Sequence, residues 1–235
     1  MAIKIFADGA NLEEMLKIYE SGLVDGFTTN PSLMKKGGVK SYREFSKKVL
    51  ENIKNVPVSF EVFTNSFETM YKEAKEIASW ADNVYVKIPI MTTDRKSTKE
   101  LIKKLSDEGV KVNVTAVFTL EQVREAVDAI NEKSKGYVSV FAGRISDAGH
   151  DHMPIIEKAR RICDEKKGSV ELLWASTREV YNIFQAESLK VDIITCPNEI
   201  IYKYGKRGES LLDLSYDTVK TFAKDISNLG FSVFE

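Results

Sequence analysis

Phe67-Glu68-Thr69-Met70-Tyr71-Lys72-Glu73-Ala74-Lys75-Glu76-Ile77-Ala78-Ser79-Trp80, followed closely by Asn83-Val84-Tyr85-Val86-Lys87-Ile88-Pro89, is the stretch that decides the fold. In its first part Phe67, Met70, Tyr71, Ala74, Ile77, Ala78 and Ala81 recur at helical spacing, with Lys and Glu between them. That pattern predicts an amphipathic helix with one apolar face. Asn65 or Ser66 supplies a side-chain oxygen to cap its start. The second part is a dense β-branched run and predicts a strand. Strand side chains alternate faces, so Val84, Val86 and Ile88 point one way and Tyr85, Lys87 and Pro89 the other.

The same alternation runs outward in both directions. Strands are predicted at Ile3–Asp8, Gly26–Asn30, Val56–Phe63, Asn83–Pro89, Lys111–Phe118, Gly136–Gly143, Ser169–Ser176 and Asp192–Pro197. Helices are predicted at Leu12–Glu20, Tyr42–Lys54, Phe67–Trp80, Ser97–Asp107, Leu120–Glu132, Pro154–Lys166 and Arg178–Ser188, and Thr119 suits the cap of the fifth. Strands that each lead into a helix, in a chain of 235 residues, point to the α/β class and a single (β/α)8 TIM barrel over residues 1–235. An open doubly wound sheet would place a Gly-rich phosphate turn after its first strand. Asp8-Gly9-Ala10-Asn11 is not such a turn, and Gly37-Gly38 lies after the second strand. Tyr202–Ser210 is polar, and Asp217–Leu229 resumes helical periodicity as an additional C-terminal helix. That helix is expected to pack on the barrel or on a neighbouring subunit, which implies a homo-oligomer.

Charge narrows the partners. Thirty-four Lys and Arg against 35 Asp and Glu leave a formal charge of -1, so neither nucleic acid nor an acidic membrane is an expected partner. The paired lysines at 35–36, 47–48 and 103–104 are scattered, fall on predicted helices or their edges, and read as solvated faces. Cys163 and Cys196 lie far apart and outside any metal-ligand spacing. No signal peptide and no bilayer-length apolar run is evident, so a cytoplasmic location is expected. His150 and His152 in Asp147-Ala148-Gly149-His150-Asp151-His152 lack the helical spacing of a metal site and read as an exposed loop before Pro154. No metal and no cofactor is expected.

Catalysis must then fall to lysine, carboxylates and hydroxyls. Lys87 sits among apolar β-branched neighbours near a strand end. Burial lowers the titration of a lysine, and a neutral amine is the nucleophile that forms a Schiff base with a carbonyl. A lysine paired with a carboxylate for structural reasons is the plainer reading of the run taken alone. Other strands also end in polar residues that their apolar patterns do not require: Asp8, Thr28 and Asn30, Glu61, Asn113 and Thr115, Ser139 with Phe141 and Arg144, Ser176 with Arg178. Catalytic groups of TIM barrels sit at these carboxyl ends. Gathering charges and amides there is costly unless they act on something.

These residues resemble the transaldolase family, in its small transaldolase and fructose 6-phosphate aldolase-like subgroup. Gly26-Phe27-Thr28-Thr29-Asn30-Pro31-Ser32-Leu33 is similar to its signature, and Val86-Lys87-Ile88-Pro89 to its Schiff-base strand. Asn113-Val114-Thr115, Ser139-Val140-Phe141-Ala142-Gly143-Arg144 and Ala175-Ser176-Thr177-Arg178 extend the likeness over about residues 3 to 197. Family transaldolases carry Glu on the third strand and Phe on the sixth, where the aldolase relatives tend to carry Gln and Tyr. Glu61 and Phe141 follow the transaldolase pattern. Gly9 replaces a usual Thr, Phe27 a smaller aliphatic residue, and Met91 intervenes before the hydroxyl of Thr92.

The resemblance implies sugar phosphate substrates and a reaction without metal or cofactor. Lys87 forms the imine, Asp8 handles the C4 hydroxyl proton, and Glu61 and Thr115 move protons through a water. Asn30, Asn113, Thr28, Ser139 and Phe141 hold the substrate, and Arg144, Ser176 and Arg178 take its phosphate. Two other readings stay open: an aldolase that releases free dihydroxyacetone, and a non-catalytic barrel that serves as a binding or scaffold protein.

Overall fold

The computed structural model describes residues 2–231, 233 and 234. Its eight parallel strands close into a barrel in chain order. They are β1 (Lys4–Asp8), β2 (Gly26–Thr28), β3 (Val58–Glu61), β4 (Val84–Pro89), β5 (Val112–Val117), β6 (Gly136–Val140), β7 (Val170–Trp174) and β8 (Ile193–Cys196). Around them run α1 (Leu12–Glu20), α2 (Pro31–Lys36), α3 (Tyr42–Asn52), α4 (Phe67–Ala78), α5 (Lys99–Asp107), α6 (Leu120–Ala129), α7 (Ala142–Asp147), α8 (Met153–Asp164), α9 (Tyr181–Ser188) and α10 (Asn198–Tyr204). The (β/α)8 expectation holds.

Local chemistry sets the helix starts. Ser66 caps α4 by accepting from Thr69 N, and Thr119 with Gln122 forms a reciprocal capping box on α6. Asn30 caps α2, whose first residue is Pro31. Outward side chains such as Val58, Val86, Ile88, Val114, Val138 and Leu172 are fully buried beneath the helices.

Inside the barrel the amino-terminal half is aromatic. Phe6 meets Tyr137 edge to face at 5.9 Å, and Tyr137 stacks on Tyr85 at 4.0 Å. Ile193 joins them, and Leu173 and Ala175 carry the same apolar cluster up to the mouth. A Cβ at Gly26 would lie 2.6 Å from the Phe6 ring, so glycine makes room for the barrel floor. The dry floor confines the polar chemistry to the opposite mouth, the usual place in this architecture.

Several boundaries differ from expectation. Expected strand Gly136–Gly143 ends at Val140, because residues 142–147 turn into α7. Helix α9 begins at Tyr181 rather than Arg178, since Asn182 accepts from the Arg178 and Glu179 amides and holds that stretch as a turn. The short helices α2, α7 and α10 span too few residues to print a periodicity. His152 does not lie in an exposed loop: its ring packs edge-on against Trp174 at 4.8 Å, and Nδ1 pairs with Ser146 Oγ at 2.6 Å.

The chain divides into two compact units, one through Ile201 and one from Tyr202 onward. The second holds α11 (Leu211–Ser227), capped by Ser210. It starts six residues before the expected Asp217, because Leu211, Leu212 and Leu214 already belong to it. Every residue of α11 is exposed.

Candidate active site

Lys87 lies on β4 in register with Glu61 of β3 and Asn113 of β5. Its side chain is 7% exposed, with Nζ 3.3 Å from Glu61 Oε2. Nζ also donates to the carbonyl of Thr29 at 2.8 Å. Glu61 is steadied from behind, where the Tyr42 hydroxyl donates to its backbone carbonyl at 2.9 Å. Tyr42 itself is wedged between Phe60, Phe63 and Trp80, and burial raises its phenol well above the ordinary value.

Asp8 ends β1. Thr28 Oγ1 donates to Asp8 Oδ1 at 2.8 Å and lies 2.5 Å from Thr195 Oγ1. Burial pushes the Asp8 carboxyl above the usual carboxylate range, nearby Lys87 and the Thr28 hydrogen bond oppose that rise, and Glu61 adds to it. The residue keeps some solvent exposure, yet its carboxyl sits deep in the mouth.

Asn113 is fully buried, and its amide is engaged on both sides. Nδ2 donates to Ser59 Oγ at 3.0 Å, and Oδ1 accepts from Ser139 Oγ at 2.6 Å. Asn30 spends its side-chain oxygen on capping Leu33 N at 2.9 Å, which leaves its amide nitrogen for a ligand. Beside them β5 carries a bulge: its register against β6 shifts between Val114 and Val117, and Ala116 adopts φ +57°. Such bulges re-aim strand side chains, and Thr115 lines the cavity there.

The rim is basic. Arg178 donates through Nε and Nη2 to Asp147, with a closest approach of 2.5 Å, and through Nη1 to Ser176 O at 3.1 Å. That contact raises the Arg178 guanidinium above its usual value and holds Asp147 low. Arg144 makes no ion pair among the described residues; its guanidinium lies 5.4 Å from the Phe141 ring centre.

A cavity of about 190 Å³, open to solvent, joins these groups. Of the expected site residues Asp8, Thr28, Asn30, Lys87, Thr115, Ser139, Phe141, Arg144, Ser176 and Arg178 line it. Glu61 adjoins it through Lys87, and Asn113 lies beneath it behind Ser139. Sequence reasoning passed over Thr195, Ser59 and Asp147. Thr195 has the signal of the others, a hydroxyl near a strand's carboxyl end. Ser59 carries no such signal inside an apolar strand, and Asp147 stands in sequence beside His150 and His152. The Thr92 hydroxyl turns away into the loop after β4, where it bonds Asp94 Oδ1 and Lys96 N.

The chain's sequence matches the model of the transaldolase/fructose-6-phosphate aldolase family over residues 5–233. It belongs to that family. Among its relatives is a probable transaldolase of Brucella melitensis, 35% identical over 97% of this chain and 98% of the relative. Another, from Methanococcus maripaludis, is 37% identical over 86% of this chain and 89% of that protein. A third, from Thermoplasma volcanium, is 36% identical over 89% and 92%. Membership makes this chain an aldolase-type enzyme. The solved KGPDC of Streptococcus mutans superposes with a TM-score of 0.56 at 13% identity, covering 86% of this chain and 91% of that one, a likeness of fold alone.

Among the described residues no group of three or more His, Cys, Asp or Glu side chains converges on a metal position. No helix of the described residues is long and apolar enough to cross a membrane.

Proposed function

We propose that this family member is a transaldolase that moves a dihydroxyacetone unit from a ketose phosphate to an aldose acceptor through an imine on Lys87. The observation that carries this reading is the near-buried Lys87 amine, 3.3 Å from Glu61, in a mouth that also holds Asp8 and is rimmed by Arg144 and Arg178. Glu61 is the carboxylate within reach of the proton that Lys87 must lose before attack. The amine adds to the C2 carbonyl, and water departs as the protonated imine forms. Glu61, with Thr115 and a water, relays the protons of that exchange.

Asp8 then takes the C4 hydroxyl proton. The C3–C4 electron pair moves into the imine, an aldehyde leaves, and a three-carbon enamine stays on Lys87. An incoming aldehyde reverses the sequence. Asn30 and Ser139 orient substrate hydroxyls, Asn113 sets Ser139, Phe141 walls the donor, and Arg144, Arg178 and Ser176 receive the phosphate.

The family includes aldolases that release the three-carbon unit, and Glu61 with Phe141 favours transfer. Free buried Cys163 and Cys196 support a reducing, cytoplasmic setting. The exposed apolar residues of α11 support self-association. The test of transfer is product analysis with fructose 6-phosphate, with and without a four-carbon aldose phosphate. Turnover that requires the acceptor supports the reading; equal release of free dihydroxyacetone without it makes the protein an aldolase.

A further inference from the structure

Three hydroxyl and carboxyl groups from adjacent strands meet at the wall of the mouth: Thr195 of β8, Asp8 of β1 and Thr28 of β2. Thr28 Oγ1 stands 2.8 Å from Asp8 Oδ1 and 2.5 Å from Thr195 Oγ1. Thr28 and Thr195 are 3% and 4% exposed, so water has little access to either hydroxyl. A hydroxyl has one proton to donate, and an ionised carboxylate only accepts. When Asp8 is ionised, Thr28 gives its proton to Asp8, which leaves its oxygen to accept from Thr195.

With Asp8 ionised, the order Thr195→Thr28→Asp8 follows from counting protons. Thr195 is itself held firmly. It pairs with Phe6 in the β1–β8 register, and its carbonyl accepts from Thr177 Oγ1 at 2.7 Å. Threonine is also stiff at χ1, so the hydroxyl direction follows from the backbone.

We propose that Thr195 is a positioning residue whose hydroxyl commits the Thr28 proton to Asp8 and so fixes the orientation and basicity of that carboxylate. This rests on the transaldolase reading only for its consequence in catalysis. Without the Thr195 proton, Thr28 is left with an unpaired buried oxygen and is free to turn from Asp8. Lys87 on β4, Glu61 on β3 and Cys196 on β8 also bear on Asp8, and burial pushes the Cys196 thiol up to about 12, so it stays neutral. A change at Thr195 alters none of these.

The test compares wild type with Thr195→Val, which keeps the shape, and with Thr195→Ser, which keeps the hydroxyl. Thr195→Ala serves if valine packs badly. Carbon-detected NMR titration of Asp8 reads the carboxyl directly, whatever the substrate. The expected result is an upward shift of about half a pH unit in Thr195→Val and none in Thr195→Ser. The acidic limb of kcat moves by the same amount, kcat falls roughly fivefold, and KM is unchanged.

A hydroxyl with only a structural role would lower the melting temperature and leave the Asp8 titration in place, and that result overturns the proposal. A shifted Asp8 in a protein that turns over no ketose phosphate keeps the hydroxyl chain and overturns the transaldolase reading instead.

Discussion

Gly143 and Ser176 meet so closely that a Cβ at position 143 would fall 1.7 Å from the carbonyl oxygen of Ser176. Ser176 in turn adopts φ +66°, a left-handed conformation uncommon for serine. This approach seats the start of α7 on the end of β7 and brings Arg144 and Arg178 to one rim. The contact is backbone against backbone, so no side chain can yield to a methyl group.

Gly143→Ala should therefore separate the two arginines. The expected cost is about 1–3 kcal/mol of stability from overpacking. The KM for a phosphorylated donor should rise more than tenfold. Thermal unfolding and steady-state kinetics check both; a variant with unchanged KM would show that the approach does not set the phosphate site.

The arginines should not contribute alike. Arg144 makes no ion pair among the described residues, though its charge is felt at Asp147, whereas Arg178 is already forked onto Asp147. Arg144→Ala removes a charged contact to phosphate and should weaken donor binding by about 1.5–3 kcal/mol. Asp147→Asn should leave the folded state nearly unchanged and alter donor KM by only a few-fold, because Arg178 also keeps Ser176 O. Larger effects at Asp147 than at Arg144 would reverse this assignment.

Asp8 links activity to stability. Its carboxyl is raised above the ordinary range, chiefly by burial. The folded state therefore holds the Asp8 proton to higher pH than the unfolded chain, and stability drops as pH rises from the ordinary carboxylate value through the folded one. Asp8→Asn should abolish C–C cleavage yet raise the melting temperature at neutral pH. That gain should shrink as pH falls below the folded value. Calorimetry across the acid range checks it; a variant less stable at neutral pH would mean that Asp8 is held mainly by its partners.

On α11, Leu212, Tyr216, Val219, Phe222 and Ile226 share one helical face and are exposed in the single chain. Val219→Asp with Phe222→Asp should reduce the mass seen by light scattering, without loss of barrel secondary structure. An unchanged mass would remove this face from the assembly.

Much of this was legible in the residues. Strand alternation set Lys87 on the face opposite Val84, Val86 and Ile88, because period two is rigid once a run is a strand, and Asp8 and Glu61 stand out as polar residues that their apolar strands do not require. What sequence could not supply were contacts made by closure. Thr195 meets Thr28 only because β8 returns beside β1. Asp147 meets Arg178 only because α7 leaves β6 three residues earlier than its apolar run implies. Asn113 read as a substrate ligand, yet its amide spans Ser59 and Ser139 from two neighbouring strands.

The central claim is that Lys87 carries the substrate as an imine. The direct measurement is borohydride reduction in the presence of fructose 6-phosphate, followed by peptide mass spectrometry. The account predicts a three-carbon adduct on Lys87, lost in Lys87→Met and replaced by a six-carbon adduct in Asp8→Asn. No adduct on Lys87, with fructose 6-phosphate, sedoheptulose 7-phosphate and dihydroxyacetone each tried, would contradict it and leave that lysine a structural partner of Glu61.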